Sequence, residues 1–346
     1  MPENHFVAPS STSPSAVSSS TQVRTEPVHV AAIRHSAASA NGIQIRLVAL
    51  TAAMRGPYPV GHDAPVPGFG HTLATARPDP GGLAIFALGQ AGYALRGAES
   101  LVLIDPWLST ALEEEEGITR AVPPPLRPED VEAVDLVCIT HEHADHLDAR
   151  TLAAIAAQVP GAIFLAPAPA VGLVEQAGVP RARIHPAHAG VALEAAGARV
   201  TAIQAAHELH PDAFGGYRFW LDERGDHRAL SYLVELDGHA VFHAGDTIWW
   251  PGMEDAVREL EPDVAILPIN GRDAMREAQG VWGNLTADEA AALAVAAGVP
   301  AVIPCHYDGV AGNLGDPAAF VAALRAAAPE VRAHVLGPGD QLPLPG

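Results

Sequence analysis

The chain has 346 residues, 49% hydrophobic and 17% charged, which is enough for one large domain or two smaller ones. Its formal net charge is −20, and all 20 basic residues are arginine, with no lysine. Such acidity argues against a nucleic-acid partner, which wants a basic face, but leaves an anionic small molecule open because a metal can supply local positive charge.

Residues 1–26 include "SSTSPSAVSSST", which cannot bury enough surface to offset its ordering entropy, and are expected to be a disordered tail. Residues 27–80 are rich in Ala, Pro and Gly without a clear period and read as an N-terminal extension, in which "GIQIRLVALTAAM" could form a short element. A denser pattern over 81–346 reads as the main domain. "LAIFALG", "GYALRG" and "SLVLIDPWL" are short apolar runs bounded by Gly or Pro, hence strands. "AVDLVCIT" is a buried strand, "LDARTLAAIAAQV" a helix behind it and "AIFLAP" a further strand. "ARVTAIQAA", "SYLVELDG" and "HAVFHAGD" read as successive antiparallel strands with Gly turns. The remainder alternates: a helix from Gly252, strand "DVAILPI", helix "TADEAAALAVAAG", strand "AVIPCH", helix "DPAAFVAALRAAA" and strand "RAHVLG". This predicts an α/β mixed-sheet system with helices on the outside.

Cys138 and Cys305 each lie in an apolar, strand-like run and read as buried small hydrophobes of a reduced protein. No apolar stretch is long enough to span a membrane, and no basic segment precedes an apolar one at the N-terminus. The expectation is a cytoplasmic protein, with a homo-oligomer left open.

The chemistry concentrates in "HEHADH", residues 141–146, directly after the strand "VDLVCIT". His141 and His143 are two apart, so on extended backbone they project to the same side. Asp145 and His146 follow as the chain turns. One strand end thus offers two imidazoles to one cation and a carboxylate plus a third imidazole to another, and these are ligands of zinc, iron and manganese. The stretch also begins like His-Glu-x-x-His, but position 145 is Asp, so the zincin pattern fails.

"HEHADH" matches the His-x-His-x-Asp-His signature of the metallo-β-lactamase superfamily, and other motifs of that family follow in order. "LVLIDP" supplies Asp105, "AIQAAHELH" His207 or His210, "VFHAGDT" Asp246 and "AVIPCHYD" His306. The resemblance implies an αββα sandwich of two mixed sheets. It also implies two divalent metal ions, zinc first, with manganese or iron as alternatives. His141, His143 and His207 would hold one ion; Asp145, His146 and His306 would hold the other. Asp246 would bridge them, Asp105 would orient a ligand from behind, and Asp145 or an acid behind the ligands would shuttle the proton. "GQAGY", "HAGDT", "LPING" and "IPCHYD" further resemble the branch that includes the ascorbate-phosphate lactonase. The departure is at "AAHE", where that lactonase lacks the His, which argues against copying its substrate.

Around this set, His210 lies in a loop that could touch substrate, and His243 reads as a partly buried strand histidine. Asn270, Arg272, Asn284 and Tyr307 are placed to contact substrate, with Arg272 a candidate grip for an anionic group. Residues 210–227 form a candidate loop over the site, hinged at Gly215-Gly216, with Phe219 or Trp220 as pocket wall. The expected activity is metal-dependent hydrolysis of a small ester, lactone or phosphorylated metabolite. The alternatives are a phosphodiesterase on the same metals or a non-catalytic metal-stabilised scaffold.

Overall fold

The structure is a computed structural model that describes residues 65–346. The expected disordered tail over 1–26, and the short element expected within residues 42–54, lie outside the described residues. Helix α1 (Phe69–Thr75) is the first element described. Phe69 and Leu73 are buried in the same core as the later strands, and Phe69 meets Phe86 edge-on at 6.0 Å. This segment therefore packs into the domain ahead of the expected start at 81.

The first half of the domain supplies β1 (Leu83–Gly89), β2 (Gly92–Arg96), β3 (Leu101–Ile104), helix α2 (Ala111–Glu116) and β4 (Leu136–Cys138). Helix α3 (Ala149–Gln158), β5 (Ile163–Pro167), α4 (Val171–Gln176) and β6 (Ile184–Ala187) follow. The second half supplies β7 (Ala192–Ala195), β8 (Ala198–Gln204), the short pair β9 (Glu208–Leu209) and β10 (Tyr217–Arg218), β11 (Leu230–Leu236) and β12 (His239–His243). Then come α5 (Met253–Glu259), β13 (Val264–Pro268), α6 (Ala274–Ala278), α7 (Ala287–Ala297), β14 (Ala301–Cys305), α8 (Pro317–Ala327) and β15 (Arg332–Ala333). The last strand, β16 (Gln341–Leu344), returns to the first sheet.

The two seven-stranded sheets run β16-β1-β2-β3-β4-β5-β6 and β15-β14-β13-β12-β11-β8-β7. Each is mixed: β3 to β6 are parallel in the first, and β12 to β15 in the second. Alternation along the strands sorts the side chains into three layers. Ile85, Leu95, Val102, Ile104 and Leu136 face Val200, Tyr232, Val241, Ile266 and Ile303 in the core between the sheets. Phe86, Leu103, Val137 and Phe164 point the other way, against Leu152 and Ile155 of α3 and Val174 of α4. Leu233, Phe242, Leu267 and Val302 pack outward against Met253 of α5, Leu293 of α7 and Phe320 of α8. The molecule is an αββα sandwich, as the resemblance implied.

The central strands are apolar on both faces because both faces are covered. Cys138 and Cys305 are free and lie in the inter-sheet core. Among the described residues, no helix is long and apolar enough to cross a membrane.

Candidate metal centre

Strands β3, β4, β8, β12 and β14 all end at one edge of the sandwich, and each end carries a chemical residue. This is where open α/β sheets present ligand-binding groups. The two sheets are tied together at this edge: Tyr232 Oη donates to the Ile139 carbonyl at 2.9 Å, and Leu230 N to the Thr140 carbonyl at 3.0 Å. After β12 the chain must turn closely past β4. Gly245, at φ +59°, makes the turn, and a Cβ there would lie 2.9 Å from Thr140 Cβ and 3.1 Å from the Leu230 carbonyl. A side chain at 245 would push Asp246 away from the histidines of the other sheet.

The side chains converge in two groups that share a centre. His141, His143 and His207 form one, and Asp145, His146 and His306 another, with Asp246 beside His141 and His146. In the first, His143 Nδ1 lies 2.9 Å from His141 Nε2 and 3.2 Å from His207 Nε2. In the second, Asp145 Oδ2 lies 3.7 Å from His146 Nε2 and 3.4 Å from His306 Nε2. Asp246 spans both: Oδ1 is 3.3 Å from His146 Nε2, and Oδ2 is 3.2 Å from His306 Nε2 and 3.5 Å from His207 Nε2.

A tetrahedral ion with ligands at ~2.0–2.1 Å has ligand-to-ligand edges of about 3.3 Å. The observed edges scatter around that length. His146 Nε2 and Asp246 Oδ1 are also buried without a hydrogen-bond partner, a costly arrangement for polar atoms unless a cation occupies the centre. The donor set therefore fits divalent metal.

Electrostatics divides the histidines. Burial pushes His141 well below the ordinary 6.5, His143 down to about 4 and His207 to about 3, so all three stay neutral and ready to ligate. Burial also opposes charge on His146 and His306. There the carboxylates of Asp246 and Asp145 prevail, joined at His146 by Asp105; they raise His146 well above 6.5 and His306 to about 9. In turn, these histidines outweigh the burial penalty on Asp145 and Asp246 and hold both below the usual carboxylate range.

Asp105 lies behind the second group. Its Oδ2 accepts from His146 Nδ1 at 2.7 Å and from the Thr140 hydroxyl at 2.6 Å, and its Oδ1 accepts from Thr140 N at 2.7 Å. Fixing Nδ1 as the donor leaves Nε2 as a lone-pair donor toward the centre. Asp148 plays a scaffold part: it caps α3 through Arg150 N and Thr151 N and also accepts from Leu108 N, Ser109 N and the Ser109 hydroxyl.

Several expectations are corrected. Arg272 is not free to grip an anion: its guanidinium donates to both Glu289 oxygens at 2.6 and 2.7 Å and to the Asn284 carbonyl at 3.0 Å. Glu289 is the capping-box residue of α7, so this arginine secures a helix start. Asn284 Nδ2 donates to Asn270 Oδ1, and Asn270 Nδ2 to Asn313 Oδ1, a buried ladder that braces the loop after β13. Tyr307 donates to the Leu336 carbonyl. His210 lies outside both ligand groups, and its backbone amide bonds Gly216. His243 belongs to the core, with Nε2 on the Ala91 carbonyl and Nδ1 accepting from Gly245 N.

Of the two candidate wall residues, Trp220 lies 5.4 Å from the His143 ring, whereas Phe219 packs away against Phe214, His227 and Trp250.

Two residues at the centre were missed. Gln90 reaches in from the β1–β2 turn: its Nε2 lies 2.8 Å from Asp145 Oδ2 and 3.0 Å from His306 Nε2. Its backbone carbonyl accepts from His306 N. The signal was a bulky residue between glycines in "GQAGY". Trp282, in "GVWGN", stands 5.2 Å from His143, 5.6 Å from His207 and 5.1 Å from Trp220, ring to ring.

Comparison with known proteins agrees with this geometry. A family model described as the β-lactamase superfamily domain matches residues 101–307, more than half of the chain. A UPF0173 metal-dependent hydrolase from Aeropyrum pernix is 30% identical over 267 residues, covering 73% of this chain and 94% of that protein. Another, from Caldivirga maquilingensis, is 27% identical over 262 residues, covering 75% and 96%. Among solved structures, the metallo hydrolase Igni18 from Ignicoccus hospitalis superposes with a TM-score of 0.54 at 22% identity, covering 77% of this chain and 99% of that one. An isothiocyanate hydrolase from Delia radicum gut bacteria gives 0.56 at 18%, covering 76% and 100%. At these identities the structural likeness speaks for the fold alone. With the ordered motifs, the matched family model and the relatives in accord, the chain belongs to the metallo-β-lactamase superfamily and, within it, to the UPF0173 family of metal-dependent hydrolases.

Proposed function

We propose that the chain hydrolyses a small ester or lactone with two divalent cations. His141, His143 and His207 would hold one cation and Asp145, His146 and His306 the other, with Asp246 within reach of both groups. The observation that carries this reading is the convergence of seven ligand-type side chains at near-tetrahedral edge lengths around buried, unpartnered atoms. When bound, such a pair supplies Lewis acidity and lowers the pKa of water toward neutrality.

The protein's own groups do the rest. Asp145 is the proton acceptor: its side chain is 17% exposed, Gln90 holds Oδ2, and Oδ1 carries no hydrogen bond among the described residues. Held below its usual range by His146 and His306 against the burial penalty, Asp145 is ionised at neutral pH and so carries no proton of its own. Trp220 and Trp282 pack around His143, limit its ring motion and keep water off that side of the centre. The full ligand set, with His207 in place, sets the chain apart from the lactonase it otherwise resembles, so the acid portion of the substrate is its own.

The test is hydrolysis of a panel of lactones, esters, thioesters and phosphodiesters by protein depleted of metal and then reconstituted. Activity should return with zinc, manganese or iron at about two equivalents, and Asp145→Asn should lower kcat by about 100-fold or more while the fold survives. An Asp145→Asn protein that holds its metals and stays fully active would refute the assigned role.

A further inference from the structure

We propose that Arg120 is the anion-binding residue of this centre and receives an oxyacid group that the substrate carries a few bonds from its scissile carbonyl. The proposal rests on the hydrolase reading above and adds a substrate class to it.

The placement is structural. Arg120 forms a bridge with Val310, flanked by Ala121 N to the Gly309 carbonyl at 2.9 Å and Ala311 N to the Thr119 carbonyl at 3.1 Å. Its backbone is thereby fixed to the loop that begins at His306. Its side chain reaches the other sheet: Nη2 donates to the carbonyls of Trp107 and Ser109, both at 3.1 Å, and Cζ lies 3.4 Å from the Trp107 ring centroid. Trp107 is two residues past Asp105, and Ser109 is bonded to Asp148. The guanidinium is thus pinned between the two loops that present Asp105 and His306.

What remains uncommitted is also clear. A guanidinium has five N–H donors, and the two carbonyl bonds leave those of Nε and Nη1. These atoms carry no hydrogen bond among the described residues, and they are not among the buried unpartnered atoms, so they reach solvent. Arg150, Arg218, Arg228 and Arg272 each pair with a glutamate. Arg120 has no such ion pair among the described residues. Asp148 acts on its charge, but the oxygens of Asp148 already accept several hydrogen bonds.

Partial burial lowers Arg120 to about 10, against support from Asp148, Asp145 and Asp308, so the group stays cationic at neutral pH. A partly desolvated cation stacked on an indole, pinned between the loops that present Asp105 and His306 and in direct salt bridge with no carboxylate among the described residues, is a built receptor for an anion. Arg272, the residue expected to do this, is spent on Glu289.

The test is calorimetric titration of the metal-loaded protein with butyrate, succinate and 3-phosphonopropionate. All three offer a carboxylate to the metals, and the last two add a carboxylate or a phosphonate at the far end. Wild type should bind at least one of those two about tenfold tighter than butyrate or better, and which of them binds tighter names the anion. Arg120→Gln should bring that advantage below about threefold, while Arg272→Gln should retain it. No advantage in wild type, or an advantage that survives Arg120→Gln, overturns the assignment. If the glutamine variant does not fold, Arg120→Lys is measured instead: it keeps the charge but cannot hold both carbonyls. An advantage cut about threefold or more then supports the proposal, and an undiminished one overturns it. Turnover of 4-nitrophenyl butyrate and of the ester and lactone panel is followed separately. Its complete absence would sink the hydrolase reading, whereas the titrations decide Arg120 by themselves.

Discussion

Asp105→Asn isolates a part of the centre that touches no substrate. Asp105 is fully buried and accepts three hydrogen bonds on two oxygens, from Thr140 N, the Thr140 hydroxyl and His146 Nδ1. Its φ of +44° is one that Asn also tolerates, so the substitution leaves the backbone conformation available. In either orientation the new amide turns an acceptor into a donor. Placed at Oδ1, the NH2 opposes Thr140 N–H. Placed at Oδ2, it opposes His146 Nδ1–H and drives that ring to the tautomer whose proton sits on Nε2, the atom that faces the centre. Losing such an orienting contact costs about 10–100-fold in metal affinity, or about 1.4–2.7 kcal/mol. The loss should fall on the cation held by Asp145, His146 and His306, and much less on the one held by His141, His143 and His207. The metal-free fold should also lose about 2 kcal/mol from one buried, charge-assisted bond, lowering Tm by about 3 °C for a domain of this size. The assay is competition with a chromophoric chelator, read as two successive equivalents, beside melting of the metal-free protein. Unchanged affinity for both equivalents would refute the orienting role of Asp105.

Arg272→Ala should act on stability, not on substrate binding. The Arg272–Glu289 pair is 20% and 31% exposed, so after solvent screening the loss should be about 1–2 kcal/mol by urea denaturation, with KM for neutral esters unchanged; a raised KM with full stability would contradict the helix-bracing role. The pH dependence should have two arms. In metal-free protein, the raised His306 contributes stability that is complete below its ordinary 6.5 and lost as pH climbs through about 9, whereas the depressed His143 and His207 contribute stability lost as pH falls from 6.5 toward about 4 and 3. Tm of the metal-free protein should therefore peak between these arms, and apparent metal affinity should rise with pH toward 9 as the competing proton leaves His306; flat profiles in titrations across this range would count against both.

What could be read in the sequence was what is local to one strand end. "HEHADH" places four of the candidate ligands within six positions, and each later candidate follows an apolar run that reads as a core strand. The same locality explains the failures. Arg272 looked available because its partner, Glu289, lies in the first turn of a helix whose capping box is legible but whose position relative to β13 is not. β16 was missed because "QLPL" carries a proline and gains its hydrogen bonds only by pairing with β1, more than 250 positions earlier in the chain. Gln90 and Arg120 are joined to the His306 loop by contacts that no window of sequence contains.

Three of the six non-glycine residues with positive φ among the described residues lie at the centre, the others being Ala196, Asp237 and Glu261. Gln90, Asp105 and His306 adopt φ of +54°, +44° and +55°, a region that non-glycine residues enter at a cost of about 1–3 kcal/mol each. The three are hydrogen-bonded to one another's surroundings: His306 N to the Gln90 carbonyl, Gly309 N to Gln90 Oε1, and Asp105 N to the Cys138 carbonyl one strand away. Strain shared among residues from β1–β2, β3 and β14 persists only if the surrounding packing over-determines it, and here both sheets and the inter-sheet core do so. The rigidity that results suits a cluster of ligand-type side chains able to hold metal, and it leaves Arg120, on its own loop, tied to the same two strand ends.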